Sequence, residues 1–406
     1  MKKIIIMVLS LGISFSVMAQ KKELKKAEKL VKSFKTGAAF QALDALKESV
    51  VGTEYEAKYY FLRGKNFFGK NVKKNYGKAL VEFKKVLEIE AKSGEDDYSE
   101  KAISYIDIIE DYFFSQVTDA VKKSNYEEAG KAYERYYEIV PQRRDVLRYA
   151  LLSYQEAKNN GKMIEIIQKL LNKDRAPFVY TAKNKHNKRV DEFFTKEARD
   201  LAVKYNTHEN PKDEKMEAKT RVEYFNLLVR LYDQQGKNDK TIATLERAKK
   251  EFPKNAKFFQ DHAAVVYKTG DKQGYLKSLD QALKLVPNNK DLWFNYGVVS
   301  QELGETEKAV TAYDKVIEID PSYRGAYINK GLTILANEQA LINELNENLR
   351  NKEKYNEIDA KIKAMYLRAI PAFEKANELK ADEGIKSTLI NLYKTVGQND
   401  KAAALQ

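Results

Sequence analysis

Residues 290–323 read KDLWFNYGVVSQELGETEKAVTAYDKVIEIDPSY, with Trp293, Tyr296, Gly297, Gly304, Ala309, Tyr313 and Pro321 at the offsets of two short helices joined by a tight turn. Trp293, Tyr296, Gly297 and Ser300 fall at i, i+3, i+4 and i+7, one face of a helix. Gly304 ends that first helix, where a left-handed backbone costs glycine little, and Pro321 stops the second. Gly297 and Ala309 are small where the two helices would cross closely, and Tyr313 would fill the space beside them. The stretch repeats upstream every 34 residues, at Gly236, Gly270 and Gly304, at Pro253, Pro287 and Pro321, and at Phe225, Phe259 and Trp293. Three residue classes locked to one spacing, each marking a different structural event, identify a helical repeat.

The copy at 290–323 resembles the tetratricopeptide repeat (TPR), and looser copies precede it in register. One carries Phe259, Ala263, Gly270, Leu279, Ala282 and Pro287; the one before it carries Phe225, Leu228, Tyr232, Leu245 and Ala248. The resemblance implies that the first helices of successive repeats line a concave groove for peptides or protein segments. Carried over copy by copy, its groove-facing residues would be Asn226 and Arg230, then Gln260 and Lys268, then Phe294, Asn295 and Val298, then Ile328 and Asn329. Asn295 and Asn329, 34 apart, could each hold a backbone amide of a ligand; asparagine there is also ordinary repeat composition. The lysine and asparagine pair with which some TPR domains hold a C-terminal carboxylate is missing, since Phe294 and Val298, or Gln260 and Ala264, stand in those places.

Further upstream the pattern continues less regularly. Asn125, Tyr126, Ala129, Tyr133 and Pro141 repeat the second-helix pattern, after Phe113, Val117 and Ala120 on the helix before it. Gly64 and Phe67 are followed by Tyr76, Ala79, Phe83 and Val86, and 24–34 with 38–50 would form a first pair. Residues 143–171 carry another pair in weak register. About eight hairpins result, each burying its neighbour's apolar face, which predicts an all-α, TPR-like helical-hairpin solenoid. The period is lost twice. Over 174–221 Pro177 and Pro211 appear and 183–189 is strongly basic, which predicts an irregular basic connection with one helix near 190–205, joining an N-terminal array (20–173) to a C-terminal TPR array (222–406). After Tyr327 and Gly331 the expected turn gives way to an insertion at about 338–368, where Leu341, Leu345 and Leu349, then Tyr355, Ile358, Ile362 and Tyr366, keep helical spacing. This reads as a lengthened hairpin with its tip near 351–354, either elongation within the stack or a protruding arm. The last copy, with Leu389, Tyr393 and Gly397, stops at Gln406 soon after its second helix begins, leaving apolar surface to be capped or shared in a homo-oligomer.

The 406 residues are 43% apolar and 11% aromatic, with mean hydropathy -0.61 and net charge +13. That is too apolar for a disordered chain and too polar for a multi-span membrane protein. With no Cys, disulfide scaffolds, thiol catalysis and Cys-ligated zinc are excluded, and three His leave little for a metal site. Lys2 and Lys3, the mostly apolar run Ile4 to Val17, and Val17-Met18-Ala19 before Gln20 have the form of a secretory signal cleaved after Ala19. The apolar run of about 14 residues would cover only ~21 Å of a ~30 Å hydrocarbon core. No later stretch is apolar enough to span a bilayer, so the expected product is periplasmic or secreted, without an integral membrane span after cleavage.

Catalytic patterns are incomplete. Gly64 to Asn71 matches phosphate-loop spacing until Asn71 replaces the Ser or Thr that would hold Mg²⁺, and no strand precedes it. His208-Glu209 lacks a second His, and no Gly-x-Ser-x-Gly elbow occurs. No catalytic residue, cofactor or metal is therefore expected. Nucleic acid is not an expected partner either, because Phe83, Tyr133 and Tyr313 fall at core offsets rather than free to stack. The expectation is an exported TPR scaffold that binds a protein or peptide partner in an envelope assembly; the alternative is a basic adaptor for an anionic envelope polymer or membrane surface.

Overall fold

The computed structural model describes residues 18–70, 72–173, 178–215 and 218–406. The expected leader lies outside the described residues as far as residue 17. Among the described residues no helix is long and apolar enough to cross a membrane. The chain divides into two compact units, 1–224 and 225–406.

In the first unit, α1 (18–32), α2 (Thr36–Val50), α3 (Glu56–Phe68), α4 (Tyr76–Ser93), α5 (Ser99–Lys122), α6 (Tyr126–Ile139), α7 (Arg144–Glu156) and α8 (Asn160–Lys173) follow one another. Their apolar stripes face neighbouring helices: Leu24, Ala27 and Val31 of α1 share one cluster with Ala39, Leu43 and Val50 of α2 and Tyr59 and Leu62 of α3. Where helices cross closely a glycine meets a ring. A Cβ on Gly64 would lie 2.6 Å from Phe83, and one on Gly130 would lie 2.7 Å from Tyr154.

The turns of this unit carry the period in disguise. Ser124 (φ 54°) turns α5 into α6 and Lys158 (φ 55°) turns α7 into α8, both left-handed without glycine. Each precedes an asparagine that caps the next helix: Asn125 accepts from the Glu128 amide at 3.1 Å, and Asn159 from the Lys162 amide at 3.0 Å. Ser124 and Lys158 are 34 apart. Gly236 lies 78 residues beyond Lys158, one period of 34 plus 44, and 174–217 spans 44 residues. The hairpin register therefore continues across an insertion of that length.

That insertion corrects the expected irregular connection. Strands β1 (Phe178–Asn184), β2 (Val190–Phe193) and β3 (His208–Lys215) form an antiparallel sheet in the order β2-β1-β3, with α9 (Lys196–Lys204) between β2 and β3. The helix expected near 190–205 starts later because 190–193 pair with β1, and the Thr195 hydroxyl caps α9 by accepting from the Ala198 amide at 3.2 Å. Pro211 is tolerated because β3 is an edge strand of the sheet. The segment belongs to the first unit, where Phe194 N donates to the Gln142 carbonyl at 3.1 Å and both Arg144 (2.5 Å) and Arg148 (2.7 Å) ion-pair with Glu192.

The helices α10 (Ala218–Gln234), α11 (Asn238–Glu251), α12 (Ala256–Lys268), α13 (Lys272–Leu285), α14 (Lys290–Glu302), α15 (Thr306–Ile319) and α16 (Arg324–Ile334) carry the regular repeats. Gly236, Gly270 and Gly304 turn their hairpins at φ 66°, 86° and 73°. The close crossing expected at Gly297 is present, since a Cβ there would lie 2.7 Å from the Tyr313 ring. Tyr313 is fully buried and its hydroxyl donates to Gln301 at 3.1 Å, so the ring has nowhere to retreat. Gly297→Leu is expected to destabilise the second unit by ~1–3 kcal/mol, measured by urea unfolding through the fluorescence of Trp293, the only tryptophan.

After α16 a 3-10 turn (Leu335–Asn337) leads into α17 (Glu338–Glu347); the chain reverses at 348–351 and α18 (Lys352–Leu379) returns. The extension packs on itself, with Leu341, Ile342 and Leu345 against the cluster of Ile358, Ile362 and Tyr366. A Cβ on Gly331 would lie 2.6 Å from Phe373 of α18, the same crossing as at Gly297 with more chain between its partners. Helices α19 (Glu383–Thr395) and α20 (Asn399–Ala404) complete the unit.

Candidate functional site

The groove residues expected from the repeats sit on α10, α12, α14 and α16, the first helices of four successive hairpins. Asn226, Gln260, Phe294 and Ile328 occupy one register place, 34 residues apart, and all are half-buried. The place is polar in the first two copies and apolar in the last two. Asn226, Arg230, Gln260 and Asn295 have no side-chain hydrogen bond or ion pair among the described residues, and Arg230 and Asn295 are exposed. These four can meet a ligand without first releasing a partner.

The others are already engaged within the fold. Phe294 packs on Tyr323 (ring centroids 5.1 Å) and Tyr313 (5.7 Å), and with Val298 it lies against the cluster of Ala309, Tyr313, Val316 and Ala326. Ile328 packs against the core built around Ile334, Ile370 and Phe373. The apolar members thus serve first as contacts between neighbouring helices, because aromatic side chains on a first helix reach the next hairpin. Lys268 is exposed but ion-paired to Asp233 at 2.9 Å. Burial pushes the Tyr313 hydroxyl up to about 12, opposed by its hydrogen bond with Asn329. Asn295 and Asn329 share a register place but not a role: the first is exposed, whereas the second is half-buried against a tyrosine hydroxyl.

Two exposed apolar side chains on the same helices escaped the sequence reading. Tyr267 on α12 is 43% exposed and Leu332 on α16 is 49% exposed. Leu332 lies 34 residues beyond Val298 and 68 beyond Ala264, so the spacing that placed Val298 could have found it. Composition gave no warning, because an apolar residue on an amphipathic helix reads as core.

The near-matches to catalytic motifs have structural roles. Gly64 lies inside α3 against Phe83, and the phosphate-loop-like stretch continues that helix as far as Phe68 instead of forming an anion-binding loop. His208 is buried, with Nε2 2.8 Å from Asp191 and Nδ1 2.9 Å from the Thr207 hydroxyl.

Residues 227–255 and 291–323 match the tetratricopeptide repeat family. Among solved structures the chain is similar to MamA from Desulfovibrio magneticus RS-1, at 17% identity over 47% of this chain and 92% of that one, with a TM-score of 0.33. It is also similar to YrrB, described as a TPR protein with an unusual peptide-binding site, at 15% identity over 63% of this chain and 96% of that one, with a TM-score of 0.33. No curated protein matches the chain.

Proposed function

We propose that this tetratricopeptide-repeat protein is an exported, non-enzymatic scaffold that holds a polypeptide partner along the first helices of its second unit, within an envelope assembly of a Gram-negative bacterium. The observation that carries the reading is the set Asn226, Gln260 and Asn295, amides without partners among the described residues, on successive first helices that also expose Tyr267 and Leu332. A side-chain amide both donates and accepts, so it can hold the backbone of a bound segment whatever its side chains. Neighbouring apolar surface supplies the remaining attraction. One such groove and a short segment would bind with about micromolar affinity, ~8 kcal/mol, because ordering the ligand offsets much of the contact energy. Export rests on the signal-like amino-terminal sequence.

A second reading rests on α1, which exposes Lys21, Lys22, Lys25, Lys26, Lys29 and Lys32 and would attract an anionic polymer. Affinity isolation from the cell envelope separates the two. The wild-type chain should retain its partner at high salt, and the combined Asn226→Ala, Gln260→Ala, Asn295→Ala variant should bind it about tenfold or more weakly. Capture unaffected by the three changes would remove the groove assignment, and capture that collapses as salt rises would favour the polymer.

A further inference from the structure

The first unit contains a cavity of about 630 Å³ between α4, α5 and α6 on one side and the β1–β3 insertion with α9 on the other. That volume falls within the ~300–1,000 Å³ typical of small-molecule sites. Val81, Leu87, Ile106 and Ile139 line it from the helices, and Phe193 and Leu201 line it from the insertion. Val81 and Leu201 are each 44% exposed, so part of this apolar wall has nothing packed against it.

Nearly every charged group in the wall is committed to another protein group. Glu110 accepts from the Tyr136 hydroxyl at 2.5 Å and, at a long 3.5 Å, from the Asn184 amide. Arg143 is held by Asp145 and Asp191, and His208 by Asp191 and Thr207. His186 sits 3.0 Å from Asp111 and 3.5 Å from Asp107, and Lys185 donates to Asn206. Lys85 pairs with Glu82 at 3.8 Å and Glu88 with Lys92 at 2.8 Å. Lys84 is the exception, with no hydrogen bond or ion pair among the described residues. Burial lowers its ammonium to about 8, against the support of Glu110 and Asp191 and with further depression from Arg143. Lys84 is half-buried in the wall, and a cation without an ion pair beside apolar surface gains from an anionic group placed against it.

We propose that the cavity binds a small amphipathic carboxylate, its head paired with the Lys84 ammonium and its aliphatic body along Val81, Ile106, Phe193 and Leu201. Lys84, the one charged group of the wall outside a hydrogen bond or ion pair among the described residues, suits a single negative charge. A dianionic phosphate would face Glu110 and Asp107 with one charge uncompensated, and a neutral alcohol would leave Lys84 unpaired. The site is independent of the polypeptide groove, which lies on helices of the second unit.

Calorimetric titration of the full chain with decanoate and decanol tests this. Decanoate is expected to bind one to one, with decanol about tenfold or more weaker. Lys84→Met should remove that preference, with an unfolding transition on heating that shows the variant is folded. Leu201→Trp, which fills the void from α9 and leaves every ion pair intact, should abolish decanoate binding with Lys84 still present. Equal affinity for the two probes, no decanoate binding, unchanged binding by Lys84→Met, or retained binding by Leu201→Trp would each overturn the proposal.

Discussion

Arg143→Ala is expected to destabilise the first unit by ~3–5 kcal/mol, because it strands two carboxylates that have no access to water. Arg143, Asp145 and Asp191 are 4%, 3% and 2% exposed. The guanidinium reaches Asp145 through Nε at 2.9 Å and Nη2 at 2.7 Å, and it meets Asp191 of β2 through Nη1. One side chain at the start of α7 therefore neutralises a carboxylate of the repeat array and another of the insertion. Burial presses the Asp191 carboxyl up, but Arg143 and His208 outweigh it and hold the group below its ordinary value. A carboxylate whose folded value is depressed stabilises the fold above its unfolded value and loses that contribution as pH falls. Without Arg143 the upward pressure of burial is opposed by the weaker His208 contact and the long Asn184 hydrogen bond, so the sign reverses at Asp191. The variant should therefore recover part of its lost stability between pH 7 and pH 5 as the stranded carboxyls take up protons. Urea unfolding followed by far-UV circular dichroism at both pH values measures this; an equal deficit at both would show that the carboxylates are solvated after all.

Phe373→Ala is the second large effect, at ~3–5 kcal/mol, since it empties the centre of the lengthened hairpin. Phe373 is 2% exposed and shares a cluster with Ile358, Ile362, Tyr366, Ile370 and Leu389 from both ends of α18 and from α19. Its ring occupies the space that Gly331 leaves open. The two positions should therefore be coupled. Gly331→Ala alone overpacks the crossing and costs ~1–3 kcal/mol, whereas in the Phe373→Ala background its methyl group enters a void and the cost should vanish or change sign. Trp293 fluorescence in urea reports each variant, and strictly additive effects would show that α16 and α18 do not meet through this pair. In a repeat array each hairpin leans on its neighbours, so a loss at α18 should lower the midpoint read at α14 as well.

The second unit was readable because each event in its hairpins selects a residue type. A left-handed turn favours Gly270 or Gly304, a close crossing requires Gly297, and the ring that fills it must be large, as Tyr313 is. In the first unit Ser124 and Lys158 make the same turns. One strained residue costs only about 1 kcal/mol where neighbouring contacts and an asparagine cap hold it, so nothing obliges the chain to announce the turn with glycine. The sheet was hidden for another reason. β3 reads HENPKDEK and is almost wholly exposed, and it exists because β1 supplies the matching backbone groups, not because its own side chains favour extension.

The candidate sites divide in the same way. The 34-residue spacing placed Asn226, Gln260 and Asn295 on successive first helices, but it could not distinguish Asn295, which faces solvent, from Asn329, which meets Tyr313. That difference depends on what the next helix brings alongside. Lys84 carried no signal at all, being one lysine among many on a basic chain. Local sequence determined the helical hairpins and their period, because helix propensity, turn geometry and close packing each act over a few residues. Only the tertiary structure decided that residues 178–215 fold back as a sheet with α9 over α4 and α5 and line a cavity with them, because the charges and apolar surfaces that make it are drawn from positions more than a hundred residues apart.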